Sequence, residues 1–333
     1  MRVIISSMKC VFHRAIICFF SIILLSGCKR STEPISKTDF VMDTVVNITI
    51  YDDIQENEAE EILDSCFQEI RRYEGLFSTE IKDSDVSRIN GSKGEKVSIH
   101  KETAELIEKA LYYSELTDGA FDITIRPVSK LWDFRSGKAE IPEDKKIKEA
   151  LKHVGFRNID LDTEELTLSL KDPDTEIDLG AIAKGYTGDR IKEFLIDKGI
   201  KSAIINLGGN VVLLGSRPDG EPFKVGIEKP FGNEGEISDT LSVEDASVVT
   251  SGNYERYFEK DGKIYHHILN TKTGYPVESG LNAVTIVSNR SVDGDALSTA
   301  CYCLGKEKAE ELLKKITGES IDIYFYNADK PFL

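Results

Sequence analysis

Positive charge is scarce in this sequence. Its 333 residues carry 42 Lys and Arg against 58 Asp and Glu, a net charge of −16, which disfavours nucleic acid and anionic lipid as partner surfaces. Nucleotide and hydrolase fingerprints are missing as well. No G-x-G-x-x-G follows a strand, GSKGEK (91–96) lacks P-loop spacing, and neither G-x-S-x-G nor H-E-x-x-H occurs, so the common nucleotide folds, serine hydrolases and zinc proteases are disfavoured. Cysteine numbers only six, and the three beyond residue 28, Cys66, Cys301 and Cys303, are an odd set that does not read as a disulfide framework. Cys301 and Cys303 stand two apart on an expected helix and face different ways, which suits apolar filling rather than chelation. No low-complexity tract interrupts the chain, and 40% hydrophobic with 30% charged residues marks a folded globular protein. Its length suits one large domain or two closely packed ones.

The apolar run AIICFFSIILL (15–25) is shorter than the ~20 residues that span a bilayer. It follows Arg2, Lys9 and Arg14, the layout of a secretion signal, with Met8 an equally good start. The run ends in LSGC (25–28), which resembles a bacterial lipobox and implies cleavage before Cys28 and acylation of its thiol; a plain signal peptide with a chance cysteine is the alternative. Residues 1–27 are thus expected to be a lipoprotein signal, 28–39 a polar lipidated tether, and 40–333 the folded domain. Loss of the signal leaves −19.

Hydrophobic periodicity predicts a strand at 45–52, amphipathic helices at 57–78 and 102–119, a binding loop at 120–134, and a surface excursion with a helix at 136–156. The stretch 175–200 reads as a short strand, a glycine turn and a helix. After it come a strand at 202–215 broken by Gly208 and Gly209, strands at 223–230, 241–252, 263–270 and 281–288, helices at 295–305 and 306–316, and a strand at 320–327. Many antiparallel-looking strands with a few long helices give an α+β fold.

Three clusters carry candidate chemistry. In IDLGAIAKGY (177–186), Asp178 and Lys184 bracket a turn whose glycines allow close backbone approach and whose helix start favours phosphate; a helix cap and a solvated charge are the plainer reading. In DGDALSTACYCLG (293–305), Asp295 and Thr299 share a helix face and could offer a carboxylate and a hydroxyl to magnesium, or Asp293 and Asp295 could simply complement the helix dipole. His266 and His267 end a strand and point to opposite faces, so at most one of them enters a given site.

These clusters, in this order, resemble the ApbE family of FAD:protein FMN transferases, from about Phe40 to the C-terminus. VMDTVVNI, GAFDITIRPVSKLWDF, IDLGAIAKGYTGDR, INLGGN, SGNYERYF, HHILNTKTGYP and DALSTA carry the resemblance. It implies a T-fold-like architecture of mostly antiparallel sheets with packed helices. It also implies a magnesium-dependent enzyme that moves the FMN half of FAD onto a Ser or Thr hydroxyl of a client flavoprotein, such as a membrane redox complex, and releases AMP. The protein would be lipid-anchored on the extracytoplasmic side of the cell membrane. By the same resemblance Met42, Ala120, Phe121, Asp122, Asp178, Lys184 and Ile268 contact the flavin nucleotide. Asp295, Thr299 and the Ala181 carbonyl hold Mg2+, and His267 is the base. Two departures stand out: Asp43 where the family often has Gly, adding negative charge beside Met42, and Asn270–Thr271 for Asp-Pro, which suggests a looser His267 loop. A FAD pyrophosphatase and a non-catalytic FAD-binding lipoprotein are the competing readings.

Overall fold

The computed structural model describes residues 33–134, 140–233, 235–316 and 320–327. The expected signal, Cys28 and the first part of the tether lie outside them. Within them no helix is long and apolar enough to cross a membrane.

One seven-stranded antiparallel sheet organises the domain. Its strands are β1 (Ile35–Val41), β2 (Thr44–Ile50), β6 (Ala203–Leu207), β7 (Asn210–Leu214), β10 (Ser247–Gly252), β13 (Leu281–Ser288) and β14 (Ile321–Asn327), adjacent in that order. β3 (Val97–Ser98), β4 (Ile159–Asp162) and β5 (Thr167–Leu170) form a small sheet, while β8 (Phe223–Glu228) with β9 (Ile237–Val243) and β11 (Tyr257–Lys260) with β12 (Lys263–His266) are separate hairpins. The helices are α1 (Glu56–Phe77), α2 (Asp85–Gly91), α3 (Lys101–Leu116), α4 (Arg126–Trp132), α5 (Asp144–Leu151), α6 (Ala183–Asp197), α7 (Ser291–Leu304) and α8 (Lys306–Leu313). The fold class is the mixed α+β expected.

Alternation along the strands assigns each face of the sheet to a different cover. Ala203, Ile205 and Leu207 of β6 join Ile62, Leu63, Phe67 and Ile70 of α1 and Ile191 and Leu195 of α6 in one core, whereas Ile204 packs on the opposite face with Phe223, Val225 and Ile227 of β8. Period two in the strands meets period 3.6 in the helices, and each apolar face finds a partner. A third core gathers α3, α7 and α8, with Leu106, Ile107, Ala110, Leu297, Ala300, Cys301 and Leu312 all buried.

Several expectations change. The fold takes in residues assigned to the tether, because ISKTDFV forms β1 against β2 from Ile35 onward; Lys37 and Asp39 on its half-buried face and Phe40 on its exposed face break the alternation that would mark a strand. Residues 120–134 are not a loop: Asp122 caps a 3-10 turn at Ile123–Ile125, and Pro127 sits in the first turn of α4, where its fixed φ suits a helix start. Residues 175–182 form no strand before α6 and are held instead by isolated bonds such as Asp178 N to Ile123 O, 2.8 Å. The run 202–215 is a two-residue hairpin with Gly208 and Gly209 at its tip, and 241–252 divides between β9 and β10.

Candidate active site

Two hairpin tips form one rim of a cavity of about 1170 Å³. Met42 and Asp43 link β1 to β2 with φ of 56° and 59°, and Gly208 and Gly209 link β6 to β7 with φ of 61° and 91°, the backbone of tight I′ turns. A Cβ on Gly208 would lie 2.0 Å from Thr44 Oγ1, so the tips meet only because that residue is glycine. Aspartate tolerates the left-handed region better than most residues, and Asp43 Oδ2 meets Arg256 Nη2 at 2.9 Å. The extra negative charge next to Met42 is thereby paired. Glu74 Oε1 accepts from Met42 N, 2.7 Å, and ties the turn to α1.

All eleven residues drawn from the sequence line this cavity: Met42, Ala120, Phe121, Asp122, Asp178, Ala181, Lys184, His267, Ile268, Asp295 and Thr299. They stand there in different conditions. Asp122 is engaged by its own loop, with Oδ1 accepting from Thr124 N and Oγ1 (2.8 and 2.6 Å) and Oδ2 from Phe156 N (2.9 Å); burial raises its pKa against these donors. Its visible work is to fold the loop that presents Ala120 and Phe121. Asp178 closes a turn onto Gly180 N at 2.8 Å and faces Arg126 Nη1 at 3.5 Å.

The α6–α7 contact builds the most charged wall. Gly185 N donates to Asp295 Oδ2 at 2.8 Å. That approach depends on a missing side chain: a Cβ at 185 would sit 2.3 Å from Ser291 O and 2.7 Å from Asp295 Cβ. Asp295 is 4% exposed, and burial raises its pKa while Lys184, the Gly185 amide and Asn210 lower it. Ser291 Oγ orients Asn210 by donating to its Oδ1 at 2.7 Å. Thr299 Oγ1 lies 3.1 Å from Ser251 Oγ. Lys184 is half-buried and, among the described residues, makes no ion pair within 4 Å.

The two histidines separate as strand alternation requires. His266 is buried, its Nε2 3.0 Å from Val277 O and its ring edge-on to Tyr302; burial lowers its pKa to about 4. His267 faces the cavity. Its Nδ1 is 3.3 Å from Arg256 O, which can only accept, so Nδ1 carries the proton and Nε2 is left as the acceptor. Enclosure, reinforced by His266, Arg256 and Lys184, lowers its pKa to about 3. The loop after it is pinned despite lacking Asp-Pro: Asn270 Oδ1 accepts from Lys272 N and Thr273 N, and Thr271 Oγ1 donates to Gly119 O at 2.7 Å. Asparagine's turn-forming side chain supplies the restraint expected to be missing.

Sequence reasoning missed Arg126, Asn210, Glu255 and Arg256, which also line the cavity. The last two stand inside SGNYERYF, a stretch whose sequence alone does not mark which polar side chains face a cavity. Glu255 is open to the cavity's solvent yet walled by protein; that enclosure, with the charge of Asp295, raises its pKa against Lys184 and Arg256. Cys66 and Cys301 are buried filler as expected, but Cys303 is half-buried on the cavity wall. Burial pushes all three thiols up to about 12, so none is a ready nucleophile.

Asp295, Thr299 and Ala181 all line the cavity, and a carboxylate, a hydroxyl and a backbone carbonyl are the oxygen donors that a hard divalent cation would take. A carboxylate this buried, with one backbone amide on Oδ2, has acceptor capacity to spare, so the residues present fit magnesium. The tight acid and histidine group His153, Asp172 and Asp174 is not on the cavity wall, and Asp172 is already bonded to His153 Nδ1 at 2.7 Å and to Asp174 N at 3.0 Å.

The ApbE family profile matches residues 42–325. A Treponema pallidum protein named FAD:protein FMN transferase is 33% identical over 338 residues, 97% of this chain and 93% of the relative. A Klebsiella pneumoniae protein of the same name is 37% identical over 275 residues, covering 82% of this chain and 84% of its own. An ApbE protein from Thermotoga maritima, solved by crystallography, superposes with a TM-score of 0.79 at 32% identity over 88% of this chain and 94% of its own.

Proposed function

The chain belongs to the ApbE family, and from that premise we propose how it works as an FAD:protein FMN transferase. The observation that carries the reading is the convergence of Lys184, His267, Asp295 and Thr299, drawn from three separate motifs, on one cavity.

FAD brings two negative charges into an acidic protein, and the cavity answers them locally. Among the described residues of the wall, Lys184 is the cation not already tied to a carboxylate. Asp295, Thr299 and the Ala181 carbonyl would hold Mg2+, which when bound would neutralise phosphate charge. Phe121, Ala120, Met42 and Ile268 offer an apolar wall for the flavin nucleotide. His267 Nε2 takes the proton of a Ser or Thr hydroxyl on the client protein. The hydroxyl oxygen bonds to the FMN-side phosphorus, the bond from that phosphorus to the bridging oxygen breaks, and AMP leaves with the electron pair. Positioning and charge compensation supply the rate, as is general for phosphoryl transfer.

Client flavoproteins of membrane redox complexes are the partners that this chemistry suits. The lipobox-like LSGC supports anchoring through Cys28 at the outer face of a bacterial membrane; Cys28→Ala should release the protein into the soluble fraction. Incubation with FAD and Mg2+, with and without a client domain, tests the reaction. FMN mass added to the client, together with AMP, is the expected result. Free FMN with AMP regardless of client would make the protein a pyrophosphatase, and retained FAD without AMP a carrier.

A further inference from the structure

Helix α7 begins without a cap of its own. Arg290 occupies its N-cap position in extended backbone and makes no side-chain cap bond. The first two amides are taken instead by a residue about one hundred positions earlier: Ser291 N donates to Asp189 Oδ1 at 2.7 Å and Val292 N to Asp189 Oδ2 at 3.0 Å. Asp189 is on α6, one turn after Gly185, whose amide binds Asp295 one turn into α7. The helices therefore share two rungs at the same four-residue spacing, 189 with 291 and 185 with 295, and the second rung ends on a residue of the site.

We infer that Asp189 is a positioning residue for the metal oxygens: it fixes the register of α7 against α6 and so sets Asp295 and Thr299 opposite Lys184. The inference rests on the role proposed above for Asp295. A slip of one residue along a helix moves a side chain by 1.5 Å and turns it by about 100°, which would carry Asp295 off the cavity wall. The Ser291–Asn210 bond braces the same end of α7 from β7. Asp189 is only 7% exposed. Arg290, with Nε 3.7 Å from Oδ2, favours its charge, and Asp293 opposes it. Burial pushes its carboxyl up to about 6, a cost that a local Asp or Ser at position 290 would avoid.

That alternative provides the test. Mn2+ binding to the purified full chain is read by electron paramagnetic resonance and FAD binding by fluorescence, alongside thermal melting, for wild type, Asp189→Asn, Asp189→Ala, the double variant Asp189→Ala with Arg290→Asp, and Asp295→Ala. Removing partners that orient metal ligands typically weakens metal affinity 10–100-fold, and that loss is expected for Asp189→Asn and Asp189→Ala. The double variant restores a local cap without the tie to α6. Its Tm should recover while its Mn2+ affinity stays low. Recovery of both would reduce Asp189 to an ordinary cap and overturn the inference, as would a folded Asp189→Asn with wild-type Mn2+ affinity. If Asp295→Ala binds Mn2+ like wild type, the reading of the site itself falls, and the role of Asp189 with it.

Discussion

Asp293 and Asp295 stand two residues apart on α7 and serve opposite sides of it. Asp293 Oδ1 is 2.7 Å from both Lys109 Nζ and Tyr113 Oη in the core, while Asp295 Oδ2 takes the Gly185 amide at the cavity. Two positions turn a helix by about 200°, so the pair was never a joint ligand.

Substitution should separate them. Asp295→Asn is expected to lower FMN transfer roughly 10²–10³-fold with Tm unchanged or raised, since it removes a charge that burial disfavours. Asp293→Ala strips the partner from Lys109 and should cost about 3 kcal/mol of stability, seen in urea unfolding. Equal rate losses for the two would contradict the division.

Gly185→Ala places a methyl group against Ser291 O and Asp295 Cβ. Overpacking of this kind costs about 1–3 kcal/mol and should also impair transfer, because it pushes the two helices apart at the site. Gly75→Ala is the contrast: nothing lies within 4 Å of its Cβ position inside α1, and the change should stabilise by about 0.5–1 kcal/mol. Thermal melts of both variants check the pair.

His267→Ala should reduce kcat about 10²–10⁴-fold while FAD affinity stays near wild type. Because the free enzyme holds this imidazole neutral down to about pH 3, its protonation should cause no fall in kcat/KM between pH 8 and 5. A loss of activity with an apparent pKa near 6.5 that His267→Ala abolishes would assign the ring a different environment.

Asp189 has a native pKa raised from 3.8 to about 6, so the folded state binds its proton more tightly than the unfolded chain does. The stability it contributes is complete below about pH 4 and lost as pH rises to about 6. Relative to Asp189→Asn, wild type should gain about 3 kcal/mol on going from pH 7 to pH 4, at 1.36 kcal/mol per pKa unit. Urea titrations of both proteins at several pH values would measure it.

Much of this was legible in the chain before its fold was known. The helix at 57–78 announced itself because Ile62, Leu63, Phe67 and Ile70 fall on one face, and the opposed histidines followed from strand alternation. The ordered motifs led to residues that now share a cavity. What escaped had a common cause. β1 is an edge strand whose polar and apolar residues do not alternate with its faces, α4 is short with proline as its second residue, and the Asp189 cap joins residues 102 apart, so none leaves a periodic trace within its own segment. Asp122 was chosen for ligand contact, yet its oxygens are occupied by the loop it folds.

On the cavity wall Arg256 pairs with Asp43, Lys130 with Glu176, and Arg126 faces Glu80, Glu176 and Asp178, which leaves Lys184 as the unpaired cation there among the described residues. A dinucleotide approaching from bulk water therefore meets the field of a strongly anionic particle before it meets that single lysine. Dissolved salt shortens the reach of this repulsion, to about 10 Å at 0.1 M, so encounter with FAD should quicken as ionic strength rises, the reverse of steering by a basic nucleotide pocket.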